Sequence, residues 1–185
     1  MKSDDAVPIL FHFSEIKKRI IRIGIVLLIT TILAFIFYQP ISKFAQKPAI
    51  DALTSIYPDM PARLVFLDVF EGWSATAKLS VLIGFGTSFP YMMFELVMFL
   101  RPGLTSTERK YIYALIPSGT ILFFLGVAFG YFILIPPALY FLFEFGGDIA
   151  TPTPRIGSYI SLISSLVFWM GIIFEIPIGM FLLSK

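Results

Sequence analysis

Cysteine is absent from the 185-residue sequence, so neither a disulfide nor a thiolate metal site can form. Histidine is almost absent as well, because His12 stands alone with no second imidazole to complete a metal site. The metalloprotease pattern HExxH, the hydrolase pattern GxSxG and the P-loop pattern do not occur. We therefore predict a protein that is not an enzyme and that binds neither a metal ion nor a cofactor.

Charged residues are also scarce, at 14% of the chain, whereas a soluble domain usually contains about 25%. Hydrophobic residues make up 57% of the sequence, and they stand in long blocks that a soluble core could not hide. The formal net charge of +2 is too small to indicate a nucleic-acid partner. These features predict an all-α, polytopic membrane helix bundle in a lipid bilayer.

Four apolar blocks are long enough to span a membrane. The first would form a helix about 28 Å long at a rise of about 1.5 Å per residue. No small-residue cleavage site follows it, so it reads as an uncleaved span. The third block continues to Phe145, and a break or an end is predicted near Pro136 and Pro137. The predicted spans cover residues 20–38, 75–100, 111–137 and 159–183.

The distribution of lysine and arginine predicts the orientation of these spans. The side that holds the amino terminus carries Lys2, Lys17, Lys18, Arg19, Arg22, Arg101, Arg109, Lys110 and Lys185. The opposite side has fewer basic residues in longer loops. Short basic loops stay in the cytoplasm, so the amino terminus is predicted to be cytoplasmic. One membrane domain, 1–185, then has a cytoplasmic loop over 101–110, a structured extracytoplasmic loop over 39–74 and a second one over 138–158.

An amphipathic helix is predicted ahead of the first span, lying at the membrane surface. Its apolar face consists of Ile9, Phe13, Ile16 and Ile20. Glu15 lies off this face, three and four residues before Lys18 and Arg19. It could form an ordinary salt bridge within the helix, worth a few tenths of a kcal/mol, or it could take part in binding a ligand.

The turn after the second span offers another carboxylate. Pro102 follows the end of that span, and Glu108 falls in the first turn of the next helix, where a carboxylate complements the helix dipole. Glu15 and Glu108 could also face one pocket, flanked by Phe99. Two carboxylates at a membrane surface form a good receptor for guanidinium groups, because the contacts are bidentate and charge-assisted.

Two further carboxylates, Glu95 and Glu175, lie inside predicted spans. A charge at mid-bilayer costs about 2.5–3.5 kcal/mol on insertion scales, so such residues usually have a function. Glu95 is close enough to the cytoplasmic end of its span to reach the surface. Glu175 lies deeper and is expected to be protonated or to face a polar cavity or a partner, and Pro177 frees backbone carbonyls beside it.

Three segments together resemble the TatC family, the multispanning subunit of the twin-arginine protein translocase. They are HFSEIKKR over 12–19, FLRPGLTSTER over 99–109 and FEIP over 174–177. The resemblance extends from about Pro8 to the end of the sequence. The family has six spans, so the last two are expected to be missing here.

The resemblance implies a receptor that binds twin-arginine signal peptides at its cytoplasmic face, in the inner membrane, and takes part in proton-motive-force-driven export of folded proteins. It implies single-span partner subunits of the TatA and TatB type and leaves a homo-oligomer open. The implied signal-peptide site is Glu15, Lys18, Arg19, Phe99, Pro102, Leu104, Glu108 and Arg109. Glu175 matches an intramembrane glutamate that engages partner subunits, and Glu95 matches a polar position of the second span.

Two alternatives remain open at this point. A proton-coupled transporter of small solutes could use Glu95 and Glu175 as a relay. A passive membrane scaffold would bind no ligand, and removal of the carboxylates of Glu15 and Glu108 would then change stability alone. An enzyme is the weakest hypothesis, since no nucleophile–base pair or metal cluster is evident.

Overall fold

Helices form most of the chain that the computed structural model describes, which is residues 6–101, 108–145 and 152–183. Side chains are described over 15–101, 113–145 and 152–180. The helices are α1 (Ala6–Ile36), α2 (Tyr38–Ile56), α3 (Glu71–Leu100), α4 (Glu108–Ala128), a π-helix (Phe129–Leu134), α5 (Ile135–Phe145), α6 (Ile156–Ile173) and α7 (Ile176–Leu183).

Four helical segments are long and apolar enough to cross a membrane. They are Glu15–Ile36, Glu71–Leu100, Tyr113–Phe145 and Ile156–Met180. This pattern confirms the predicted all-α, multi-pass membrane bundle. The apolar side chains of α1 that the structure describes, from residue 15 onward, are mostly exposed, as expected for a helix that faces lipid on one side and α3 on the other.

The sequence predicts that the third span breaks or ends near Pro136 and Pro137. The structure differs, because the helix continues to Phe145. A proline lacks the N–H that an α-helix requires and clashes with the preceding turn. Here the six residues of the π-helix immediately precede α5, and Pro136 and Pro137 fall in the first turn of α5, where proline is tolerated. The wider π-helical turn therefore accommodates the two prolines, and the helix remains continuous.

The predicted extracytoplasmic loop over 39–74 contains a 19-residue helix, α2, which packs against α5. Pro48 lies inside α2 and cannot donate a hydrogen bond to the carbonyl of Phe44. The hydroxyl of Tyr131, on the π-helix, donates to that carbonyl at 2.5 Å. The hydroxyl of Tyr159 donates to the next carbonyl, that of Ala45, at 2.6 Å. Two phenols thus hold α2 on the bundle.

Glu71, the first residue of α3, joins the two loops that are predicted to be extracytoplasmic. Its carboxylate accepts hydrogen bonds from the backbone N–H groups of Leu67, at 2.9 Å, and Gly157, at 2.7 Å. It also pairs with Arg155 at 2.8 Å. Beside it, Val65 exchanges backbone hydrogen bonds of 3.1 Å with Pro154 and Ile156. The buried carboxylate therefore has partners on both loops.

The larger buried apolar cluster lies where α2 and α5 pack against α3 and α6, and a smaller one lies where α3 meets α4. Phe123 of α4 stacks on Phe89 of α3, with ring centroids 3.8 Å apart. On the opposite side, Phe123 lies against Gly171 of α6, where an added Cβ would come within 3.0 Å of the Phe123 ring. Aromatic stacking and a small residue together let the three helices pack closely.

Candidate functional site

The contact between α1 and α3 near the predicted cytoplasmic end contains a cluster of charged side chains. Arg19 donates two hydrogen bonds to Oε1 of Glu15, from Nη2 at 2.6 Å and from Nε at 3.3 Å. The same guanidinium donates from Nη1 to Oε2 of Glu95 at 2.8 Å and from Nη2 to the carbonyl of Met98 at 3.2 Å. Arg19 therefore links carboxylates that stand on two different helices.

Glu95 is the buried centre of this cluster, with 2% of its side chain exposed. Besides Arg19, it accepts hydrogen bonds from Nη1 of Arg22 at 3.0 Å and from the hydroxyl of Tyr91 at 2.8 Å. A buried carboxylate is costly unless it is paired and its lone pairs are used. Three donors meet that requirement, so Glu95 is satisfied within the protein.

Glu15 occupies the outer edge of the cluster, with 29% of its side chain exposed. Both of its bonds from Arg19 end on one oxygen, Oε1. Its other oxygen, Oε2, has no hydrogen-bond partner among the side chains that the structure describes. Glu15 can therefore accept from another cationic donor without first giving up Arg19.

Of the other predicted peptide-site residues, Lys18 is exposed on α1, and Phe99 is half-buried in the last turn of α3. Pro102 and Leu104 lie outside the described residues. Glu108 and Arg109 begin α4, but their side chains are outside the described part. The pairing of Glu15 with Glu108 thus remains a prediction.

Glu175 lies apart from this cluster, in the turn between α6 and α7. Its Oε2 faces Gly119 of α4, at 3.2 Å from the position that a Cβ there would take. Its Oε1 is buried with no hydrogen-bond partner within the described chain. No contact between described side chains joins Glu175 to Glu95, so the two intramembrane carboxylates do not form one site here.

Sequence reasoning missed Arg22 and Tyr91 as partners of Glu95. Tyr91 could have been found, because it precedes Glu95 by four residues and so lies on the same helix face. Arg22 could not, since its contact joins residues 73 positions apart in the sequence. A spacing of three places Arg19 and Arg22 on one face of α1, but it does not indicate which helix that face contacts.

Comparisons with known proteins identify the family of this chain. The family model described as Sec-independent protein translocase protein (TatC) matches residues 11–185. The TatC protein of Carboxydothermus hydrogenoformans is 31% identical over 182 residues, which is 98% of this chain and 72% of that protein. The TatC protein of Aquifex aeolicus is 32% identical over 181 residues, covering 97% and 73% of the two chains.

Two solved structures have the same fold. A crystal structure described as the twin arginine translocase receptor TatC superimposes with a TM-score of 0.79 at 32% identity, covering 91% of this chain and 72% of that one. A second crystal structure of that receptor, in DDM, gives a TM-score of 0.82 at 32% identity, covering 94% and 76%. The four spans are therefore arranged here as in those receptors.

Proposed function

We propose that this chain, which belongs to the TatC family of Sec-independent protein translocase proteins, binds twin-arginine signal peptides at the end of the bundle that holds Glu15. The family makes it a membrane-embedded component of a protein translocase. The solved relatives are described as twin arginine translocase receptors, which supports a receptor function here. The proposed ligand presents two adjacent guanidinium groups.

One observation carries the proposal: the half-buried carboxylate of Glu15 already holds a guanidinium. Arg19 donates two hydrogen bonds to Oε1 and leaves Oε2 without a partner among the described side chains. Hydrogen bonds between arginine and carboxylate are short and charge-assisted. A peptide arginine can therefore bind at Oε2, or it can replace Arg19 at Oε1.

Glu95 makes such a replacement inexpensive, because Arg19 also donates to Glu95 and to the carbonyl of Met98. An Arg19 displaced from Glu15 keeps these partners, so its guanidinium is not left buried without a carboxylate. In this proposal Glu15 contacts the peptide and Glu95 positions Arg19. Glu108, with Phe99, Pro102 and Leu104, is proposed to complete the pocket for the second arginine.

The test is binding of an Arg-Arg signal peptide and its Lys-Lys counterpart to this chain in nanodiscs. Lysine keeps the charge but lacks the planar fork of arginine, so the Arg-Arg peptide should bind more tightly. Glu15→Gln should weaken Arg-Arg binding by about 1.5–3 kcal/mol, the range of hydrogen bonds to charged groups. Glu144→Gln, which alters an exposed carboxylate of α5, is the control and should bind as the unmodified chain does.

Equal affinity of the two peptides, or unchanged binding by Glu15→Gln, would contradict the receptor site. Measuring Glu108→Gln in parallel tests the second half of the pocket. If Glu108→Gln binds the peptide normally and Glu15→Gln does not, Glu15 binds the peptide without help from Glu108.

The intramembrane Glu175 is proposed to contact single-span partner subunits of the TatA and TatB type. Its half-buried carboxylate has an oxygen with no partner among the described residues, and a partner helix could provide a donor. Glu175→Leu should leave peptide affinity unchanged and reduce co-purification of partner subunits. Loss of peptide affinity in Glu175→Leu would contradict this division of roles.

A proton-coupled solute transporter receives no support from the comparisons, because the matching family model and the solved structures are those of a protein translocase. The structure also gives Glu95 three donors, whereas a relay needs a carboxylate that can exchange its proton. The proposed location is the inner membrane with the amino terminus in the cytoplasm, and the chain is proposed to form one membrane domain.

A further inference from the structure

The outer faces of α3 and α6 enclose a groove with one polar end and one apolar end. The polar end is a cavity of about 490 Å³ near the extracytoplasmic loops, and it includes Asp68, Lys78, Arg155 and Ser161. The apolar end is a cavity of about 680 Å³, lined among others by Val81, Phe85, Phe168 and Trp169. Lys78 and Ser161 line both cavities, so the groove is continuous and amphipathic.

Lys78 stands at the junction of the two ends, roughly 10 Å along α3 from Glu71 at about 1.5 Å per residue. Its ammonium donates a hydrogen bond of 2.9 Å to Oγ of Ser161. None of the described carboxylates pairs with it. A cation within a membrane-spanning helix is costly without an anionic partner, and the protein supplies none in the described part.

The polar end carries charges of both signs. Arg155 is paired with Glu71, so their charges offset each other. Asp68 is exposed and accepts one hydrogen bond, from the backbone N–H of Phe70, on Oδ1. The charged side chains of this cavity that have no ionic partner among the described residues are one cation, Lys78, and one carboxylate, Asp68.

The apolar end has the shape and chemistry of an acyl-chain site. Trp169 is 59% exposed along the groove, and its ring meets that of Phe168 at 5.7 Å between centroids. A flexible hydrocarbon chain can fill such an irregular surface, because it makes dispersion contacts and has no groups that need hydrogen bonds.

We propose that the groove binds a phospholipid with a primary ammonium in its headgroup, such as phosphatidylethanolamine. The phosphate lies on Lys78 and Ser161, the ammonium reaches Asp68, and an acyl chain follows α3 and α6 past Phe85 and Trp169. Charge complementarity selects this occupant. The phosphate supplies the anion that Lys78 lacks, and the ammonium supplies a donor for the free oxygen of Asp68.

The test uses Trp169 as the reporter, because a brominated acyl chain quenches an indole that it touches. The sequence has two tryptophans, and Trp73→Phe leaves Trp169 alone. That variant is placed in phosphatidylcholine nanodiscs with a small, fixed fraction of phosphatidylethanolamine whose acyl chains are brominated. The matched probe is brominated phosphatidylcholine, which shares the phosphate and the chains but whose quaternary ammonium cannot donate a hydrogen bond.

Brominated phosphatidylethanolamine should quench Trp169 as if it were enriched about fivefold, the order expected of one added charge contact at a membrane surface. Lys78→Gln should lower the quenching by both lipids, because both carry the phosphate that Lys78 holds, and Lys78→Arg should retain it. Asp68→Asn should reduce the preference for phosphatidylethanolamine over phosphatidylcholine.

Equal quenching by the two lipids, or quenching that is unchanged in Lys78→Gln, would overturn the proposal. Stronger quenching by brominated phosphatidylglycerol would also overturn it, because a net anion would then be the true ligand. If another protein segment covers the groove, neither lipid will quench Trp169, and that result rules out a lipid occupant. Circular dichroism of each variant separates loss of binding from loss of fold.

Discussion

At the scale of the residue, Arg19 is the side chain on which the proposed site depends. It contacts a half-buried carboxylate, Glu15, and a buried one, Glu95, and it is itself only 17% exposed. The guanidinium has enough donors for both contacts at once. The cluster is therefore complete without a ligand, although Glu15 still has capacity to receive one.

Glu95→Gln is predicted to destabilise the protein by about 3 kcal/mol, the order of the loss when one partner of a buried ion pair is removed. The amide keeps the volume of the side chain but cannot balance Arg19 and Arg22. Thermal unfolding in detergent, followed by circular dichroism, measures the change. Glu144→Gln is the matched control, since its carboxylate is exposed. Equal unfolding temperatures for the two variants would show that the cluster does not stabilise the bundle.

At the scale of the element, the contact of α1 with α3 depends on one small residue. A Cβ added at Gly84 would lie 2.8 Å from the backbone N and Cα of Thr31, nearer than real contacts allow. The hydroxyl of Thr30 donates to the carbonyl of Gly84 at 2.9 Å, which requires the same close approach. This contact fixes the position of α1, and hence of Glu15, relative to Glu95.

Gly84→Ala is predicted to destabilise the protein by about 1–3 kcal/mol, because a methyl group forced into a packed contact moves the backbone apart. Gly24→Ala is the control on α1, where an added Cβ meets nothing within 4 Å. That control should be neutral or slightly stabilising, since alanine favours helix over glycine. The unfolding temperatures of Gly84→Ala and Gly24→Ala measure the difference. Similar losses of stability would mean that the contact of α1 with α3 is not tight at Gly84.

At the scale of the whole molecule, the proposed orientation places Lys17 in the cytoplasm and Asp59 on the other side. The sequence has no cysteine, so single cysteines can be introduced without a background. Both positions are exposed. In intact cells, a membrane-impermeant maleimide should label Asp59→Cys and should label Lys17→Cys only after permeabilisation. The reverse pattern would overturn the proposed orientation.

The bundle could be predicted from the sequence because the length of an apolar run is a local property. The same local reading was wrong at Pro136 and Pro137, where the turn that precedes them decides whether the helix continues. The partners of Glu95 depend on how α1 packs on α3, which no local pattern encodes. The family resemblance, by contrast, needed only short motifs, and the comparisons confirm it.

The missing N–H of Pro48 has a further consequence for α2. A helix that rests on an apolar surface could slide by one turn with little change in free energy, because apolar contacts are not directional. A slide would separate the carbonyl of Phe44 from the phenol of Tyr131, and no N–H within α2 could replace that donor. The missing N–H of Pro48 thus fixes the axial position of α2, because the carbonyl of Phe44 must stay next to Tyr131 to keep its hydrogen bond.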